Sequence, residues 1–468
     1  NISFDFSRDY QSDAFLKGYR AKDALEAIFT KFDFGVDRRI SQRFGTNVSP
    51  KLFSWLNTNY RYASNFVYSF DNPEINDRSS TLNKNHNIQL DFKPSTLINQ
   101  IYSPKQKPRT TRRRRVRNTG KKDADKKEEK KKKVSPPNPA MLLWHMFNSI
   151  KSVSVNLTFQ DDYRHFNLER TPVWKYQFGF QTSPDAGVDT TFNKILLLPN
   201  IRKNRGLDGN IQVDILRSMN SSFKFNSQKV ESQVNEQRTQ SLSHTIFFTG
   251  DDPDANPKSW WNYVPDWRFS LTGVEKFPLF KLFAKTATLE HSRTGKFSES
   301  ARFEGETKKR DSWSYSLNYQ PLLGLTVNTK WNVNGNLRST KSITYDYRTA
   351  GAVTKRIQSG FNLSLSYSVT KGFRLPLPFL KKKRLNNEIQ FSLSVDKTTS
   401  ENFSRGPTDT QFEELDVTRN WKFRPSVSYR FSQKVNGTAF YEQSSSFNKR
   451  LGTTTYKEFG INVNIAIR

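Results

Sequence analysis

The chain has 468 residues and a formal net charge of +31; 34% of its residues are hydrophobic and 14% are aromatic, Phe alone supplying 38. The absence of cysteine excludes a disulfide framework and any thiolate metal site. Mean hydropathy is −0.78, and no apolar run reaches the roughly 18 residues of a transmembrane helix, yet this aromatic content is foreign to disordered chains.

The chain opens on NISFDF, in which Ile2, Phe4 and Phe6 share one phase. It shows neither an initiator Met nor a signal peptide, so we expect the C-terminal part of a longer protein, entered in or near a strand. AKDALEAIF (residues 21–29) has a helical pattern, and weak period-two alternation follows at Phe32 to Val36 and Ile88 to Phe92. Lys105 to Lys133 contains sixteen Lys or Arg against four Asp or Glu. Residues 105–139 are therefore read as a basic, low-complexity, disordered loop. It divides strand-rich regions at 1–104 and 140–468, the latter ending in a C-terminal strand over 456–467. PAMLLWHMFNSI (139–150) reads as a helix.

Beyond it, alternation dominates. Val153, Val155, Leu157 and Phe159 share a phase, as do Trp174, Tyr176, Phe178 and Phe180. Ile211 to Ile215 and Trp267 to Leu271 are weaker cases, and PLFKLFAKT (278–286) fits helix or strand. Trp313 to Val327, Phe361 to Val369, Ile389 to Val395, Trp421 to Phe431 and Phe459 to Ile467 complete the series. FSQKVNG (431–437) reads as a tight turn, and residues 397–415 as a long polar loop.

These segments give roughly sixteen to twenty strands, several of about ten residues. That length suits a membrane-crossing strand of about nine to eleven residues better than a soluble strand of about five or six. The expected fold is all-β: a transmembrane antiparallel barrel, or a large part of one, with tight turns on one side and long loops on the other. A soluble sheet packed on its own core is the competing reading. In the barrel, Phe361, Leu363, Leu365, Tyr367, Phe459, Ile461, Val463, Ile465 and Ile467 face lipid, and Asn362, Ser364, Ser366, Asn462 and Asn464 face the lumen. A register slip of one residue would reverse both sets.

Chemistry-bearing motifs are scarce. RRRRVR (112–117) and KKEEKKKK (126–133) could neutralise phosphates. No aromatic lies between Lys105 and Lys133 to stack bases, so no nucleic-acid partner is expected. DDPDANP (251–257) lacks the Gly and Glu of a calcium loop. His86, His145, His165, His244 and His291 have no metal-ligand spacing, and His165 near Asp161 and Asp162 is the one polar cluster. NTGKK (118–122) is too short for a phosphate-binding loop. The expectation is a non-enzyme without cofactor or metal.

Several segments resemble a known family. EKFPLFKLFAKTATLEHSRTG (275–295), YQPLLGLTVNTKW (319–331) and KGFRLPLPF (371–379) are similar to the C-terminal part of the SprA/Sov family. SPKLFSWLNTNYRY (49–62) and the basic insert ahead of NSIKSVSVNLTF (148–159) agree in order, so the resemblance covers most of the chain. It implies the outer-membrane translocon of the type IX secretion system of Bacteroidota, tied to gliding motility. That translocon is a giant barrel passing folded cargo proteins to the cell surface, with a PorV-like barrel and a periplasmic plug protein as partners. Known barrels reach about 36 strands, and roughly half that number here fits a C-terminal portion. One departure from the general outer-membrane pattern is the tail: the last strand of a bacterial barrel usually ends on an aromatic, and this chain ends on Arg468.

Two other functions compete: an outer-membrane barrel of lipopolysaccharide-assembly or TonB-dependent type, and a basic nucleic-acid-binding or adhesive β protein. If the chain is a barrel segment, its last strand is expected to pair with a strand outside this sequence.

Overall fold

The computed structural model describes residues 2–11, 36–70, 77–102, 139–189, 198–216, 218–250, 265–369 and 387–466. Among them lie seventeen strands of one antiparallel sheet. They are β1 (Ile2–Gln11), β2 (Val36–Val48), β3 (Leu56–Phe70), β4 (Arg78–Phe92), β5 (Ile150–His165), β6 (Asn200–Leu216), β7 (Met219–Val234), β8 (Gln237–Thr245) and β9 (Asp266–Thr272). β10 (Ala284–Glu304), β11 (Thr307–Thr329), β12 (Val333–Arg348), β13 (Val353–Val369), β14 (Ile389–Arg405), β15 (Glu413–Arg430), β16 (Val435–Asn448) and β17 (Gly452–Ile465) follow.

Each strand pairs with its sequence neighbour, as hairpin connections dictate, except at one place. β8 and β9 lie end to end in the single slot between β7 and β10. They act as one strand interrupted by residues 246–265. β1 pairs with β2 and β17 with β16. Neither has a second partner among the described residues, so the sheet presents two open edges there.

The strands share two ends. At the proximal end lie the start of β1, the turns 49–55, 273–283, 330–332 and 431–434, and the end of β17. Helices α1 (Pro94–Ile101) and α2 (Pro139–Ser149) also sit there, between β4 and β5. At the distal end two hairpins are tight. Asn235 and Gly305 take positive φ (54° and 63°) in two-residue connections, as right-twisted hairpins require.

β10 and β11 run 21 and 23 residues, about twice a membrane crossing. The larger hydrophobic clusters are distal. Ile40, Phe66, Tyr68, Leu82 and Tyr163 pack beneath Tyr176 of the connection 166–199. Leu317, Ile343, Tyr345, Tyr347 and Val353 pack beneath Phe248 of the β8–β9 interruption.

Three readings of the sequence are corrected. Trp174 to Phe180 is not a strand. It holds a one-turn helix, α3 (Trp174–Gln177), started by bonds from the Tyr176 and Gln177 amides to the Val173 carbonyl. Alternate aromatics served here to place Tyr176 inward against Phe66, at a ring separation of 6.0 Å. Residues 397–415 are not a long loop: β14 continues to Arg405, β15 starts at Glu413, and the connection is 406–412. The distal parts of β14 and β15 are largely polar on both faces, so they carry little alternation to read. Both ends of the sheet carry short and long connections, 235–236 and 166–199 at the distal end, 330–332 and 273–283 at the proximal one. The ambiguous PLFKLFAKT splits into the four-residue helix α4 (Pro278–Lys281) and the start of β10. α1 adds a helix to the region 1–104, and β17 sets the final strand at Gly452–Ile465. AKDALEAIF, the basic insert through residue 138, DDPDANP, KGFRLPLPF and Ile467 lie outside the described residues.

Candidate functional site: a polar face behind an apolar band

Directly opposed residues of antiparallel neighbours project to the same face, so the register assigns every strand residue to one of two faces. Leu363 opposes Leu337 and Val395; Leu365 opposes Gly335 and Leu393; Tyr367 opposes Val333 and Phe391. Val395, Leu393 and Phe391 in turn oppose Phe423, Pro425 and Val427. Val427 and Tyr429 lead to Ala439 and Gly437, and those to Ile461 and Val463. Phe361 to Tyr367 and Phe459 to Ile465 thus share one face. Phe361, Tyr367 and Phe459 to Ile465 are exposed, from 37% at Phe361 to 71% at Phe459, and Leu363 and Leu365 are half-buried.

The same face continues through Val327 and Leu325, Leu289, Leu271, Phe223, Ile211, Val153 to Phe159, Leu90 and Ile88, to Ile2 and Phe4. This apolar band runs obliquely to the hydrogen-bonded rows. The row through Ile2 passes Thr46, Tyr62, His86 and Phe159. It then crosses Arg205, Lys229, Leu242, Glu299, Trp313 and Tyr347 to reach Val353. Val353 begins β13 far distal of Phe361, where the apolar stretch of β13 begins. The band therefore drifts by roughly one to two residues per strand, always in one sense, as a flat layer must when it crosses strands tilted by about 35–45°.

The opposite face is polar over the whole strand length. Asn362, Ser364 and Ser366 oppose Asp396, Ser394 and Ser392, and Asn462 and Asn464 oppose Thr438 and Asn436. The side chains bond along and across strands. The Asn87 amide donates to Asn156 at 2.8 Å, and Ser342 donates to Asn318 at 2.7 Å. The Asn362 amide donates to Asp396, which also accepts from Ser394 at 2.9 Å. Lys422 and Arg424 clamp Glu442 at 2.8 and 3.6 Å. Phe440 is an exception, buried against Gly460.

The distal part of the banded face is covered instead of bare. Residues 166–189 lie over β2 to β5, where Tyr176 bonds His165 Nδ1 at 2.9 Å and burial raises its phenol pKa. A cleft of about 570 Å³ separates 182–188 from β5 and β6, lined by Tyr163, His165, Pro184 and Lys203 among others. The Asp185 carboxyl there is held below its ordinary pKa, chiefly by the Ser183 hydroxyl (2.7 Å) and the Gln181 amide.

At the β8–β9 break, Arg293 is 1% exposed. It donates to the Ile246 and Phe248 carbonyls at 3.2 and 3.1 Å, lies 3.7 Å from Asp266, and makes cation–π contacts with both Phe247 and Trp267. Asp266 accepts the Gly295 amide at 2.7 Å, and the Thr245 hydroxyl accepts that of Asn226 at 2.9 Å. Side chains thus replace the ladder where it is interrupted. Sequence reasoning missed this joint; its one legible sign was an Arg in the phase of His291 and Gly295.

The polar cluster noted around His165 is divided. Asp161 is on the banded face between Lys84 (3.6 Å) and Arg205 (2.6 Å), and Asp162 is on the polar face. Among the described residues no three His, Asp or Glu side chains form a metal-holding group. No helix of the described residues is long and apolar enough to cross a membrane, which leaves strand crossing open. No protein-family model matches the chain, and no curated protein matches it significantly.

Proposed function

We propose that this chain is part of the wall of an outer-membrane β-barrel that conducts proteins, a translocation channel of the type IX secretion kind. The observation that carries the reading is the asymmetry of the faces. One is polar nearly from end to end; the other carries a bare oblique apolar band, and its apolar residues distal of the band are covered by the connections 166–189 and 246–250. On β13 that band spans Phe361 to Val369. At about 3.3 Å per residue and a tilt of about 40° it stands roughly 20–25 Å tall, the height of a barrel's lipid-facing belt.

The polar face then lines water. Small barrels fill their interior with side chains, and wide ones leave a channel. Ser364, Ser366, Ser392 and Ser394 are short and hydrogen-bonding, so they present a hydrated wall with little for a passing chain to adhere to. Such a wall needs no catalytic group, and the energy for transport comes from elsewhere. We take the distal ledges to stand outside the cell, where outer-membrane barrels carry their larger surface loops. The segments that resemble the SprA/Sov family add cargo proteins, a PorV-like barrel and a plug as partners, and a link to gliding.

Photocrosslinking in living cells tests this. A photoreactive amino acid at Ser392 should capture secreted proteins in transit, and one at Leu393 should capture lipid or nothing. Capture at neither position, with the protein in the outer membrane and secretion active, would overturn the translocation reading.

A further inference from the structure

The band has a chemically distinct distal border. Lys397 follows Val395 on β14, Arg419 precedes Trp421 on β15, and Lys457 precedes Phe459 on β17, each one step distal of the band's last apolar residue on that strand. Lys341 lies on this face of β12, two steps distal of Leu337 beyond Ser339. All four are exposed. Lys341, Lys397 and Lys457 have no ion-pair partner among the described residues, and the nearby carboxylate on this face is Glu401, distal of Thr399. The other half of the sheet differs: Asp161 there neutralises Lys84 and Arg205.

From this arc we infer a binding surface for the phosphates of a phosphorylated glycolipid of the lipid A type, in the leaflet at the distal end. The inference rests on the membrane reading above. Cations bordering a lipid-facing band sit at headgroup depth, where their alkyl stems cover apolar surface and their charged ends reach the phosphates. Lys397 and Arg419 are diagonal neighbours, roughly 7–8 Å apart at the backbone, close enough to share one phosphate. Lys341 to Lys457 spans five strand intervals, about 24 Å at 4.8 Å each. A surface that broad suits a lipid carrying several phosphate charges better than a single-phosphate phospholipid.

The test uses the full-length protein extracted in detergent, delipidated, and titrated with bis-phosphorylated lipid A, dephosphorylated lipid A, or phosphatidylglycerol. Wild type should retain the phosphorylated lipid A best. The combined Lys341→Gln, Lys397→Gln, Arg419→Gln and Lys457→Gln variant should bind it more than about a hundredfold more weakly, from roughly fivefold per cation. Arg338→Gln with Arg356→Gln, on the polar face, should leave binding unchanged. Undiminished binding by the fourfold variant, or equal retention of phosphatidylglycerol or dephosphorylated lipid A, would overturn the inference while the barrel stands. Membrane fractionation of the same preparations reports separately on the barrel: a wild-type protein recovered without detergent would sink both.

Discussion

Asp161 and Asp162 are neighbours in the chain and lie on opposite faces of β5. Asp161 is nearly buried between Lys84 and Arg205, whereas Asp162 meets the Gln160 amide at 3.3 Å on the polar face. Two identical side chains therefore have different duties. Asp161→Asn strands two cations beside each other and should cost about 1–3 kcal/mol. Asp162→Asn should stay within about 0.5 kcal/mol. Urea midpoints of the detergent-folded protein, read by tryptophan fluorescence, separate the two.

The faces also predict where charge is tolerated. Leu365→Arg places a cation in the band and should cost about 2–4 kcal/mol, with loss of protein from the outer membrane. Ser364→Arg, one residue away, should assemble normally. Val463→Arg and Asn464→Ser on β17 should divide the same way. Quantifying folded protein in outer-membrane fractions checks both pairs, and equal losses would refute the face assignment.

Tyr176 fastens the distal ledge. Removing its ring in Tyr176→Ala should cost about 3–5 kcal/mol, and Tyr176→Phe, which loses only the bond to His165, about 1 kcal/mol. Limited proteolysis should cut residues 166–189 faster in the first variant, with the strands still protected. Unchanged cleavage would mean that the ledge is held by other contacts.

Glu275 makes a pH-dependent latch at the proximal end. Its carboxylate accepts its own amide and that of Ala287 (3.0 Å), which holds its pKa below the ordinary carboxylate value. The contribution is present above the unfolded pKa of about 4.3 and is lost as pH falls through the lower folded value. The protection factor of the Ala287 amide, taken relative to its intrinsic exchange rate at each pH, should therefore fall under acid, and Glu275→Gln should remove most of that acid dependence.

How much of this was legible in the sequence depended on contrast between faces. β13 was plain because Phe361 to Val369 alternate with Asn and Ser. Residues 397–405 were opaque because Lys, Thr, Ser and Glu leave both faces polar. Trp174 to Phe180 misled because alternate aromatics can also crown a helical turn that drops one ring into a core. The division of Asp161 from Asp162 follows from parity once β5 is known to be extended. Arg293 could not be placed, since its partners arrive from the β8–β9 interruption, about 45 residues away in the chain. The proposed function rests on the resemblance to a translocon family and on the two faces, and no single residue carries it.

The central claim, that one face meets lipid and the other water, is tested most directly by cysteine scanning across β13. The chain contains no cysteine, so each introduced thiol is the only one reporting. Single cysteines at residues 361 to 367 in outer membranes are exposed to a charged, membrane-impermeant maleimide. Positions 362, 364 and 366 should label, and 361, 363, 365 and 367 should stay protected until detergent is added. Uniform labelling along the strand, or protection of the Asn and Ser positions instead, would contradict it.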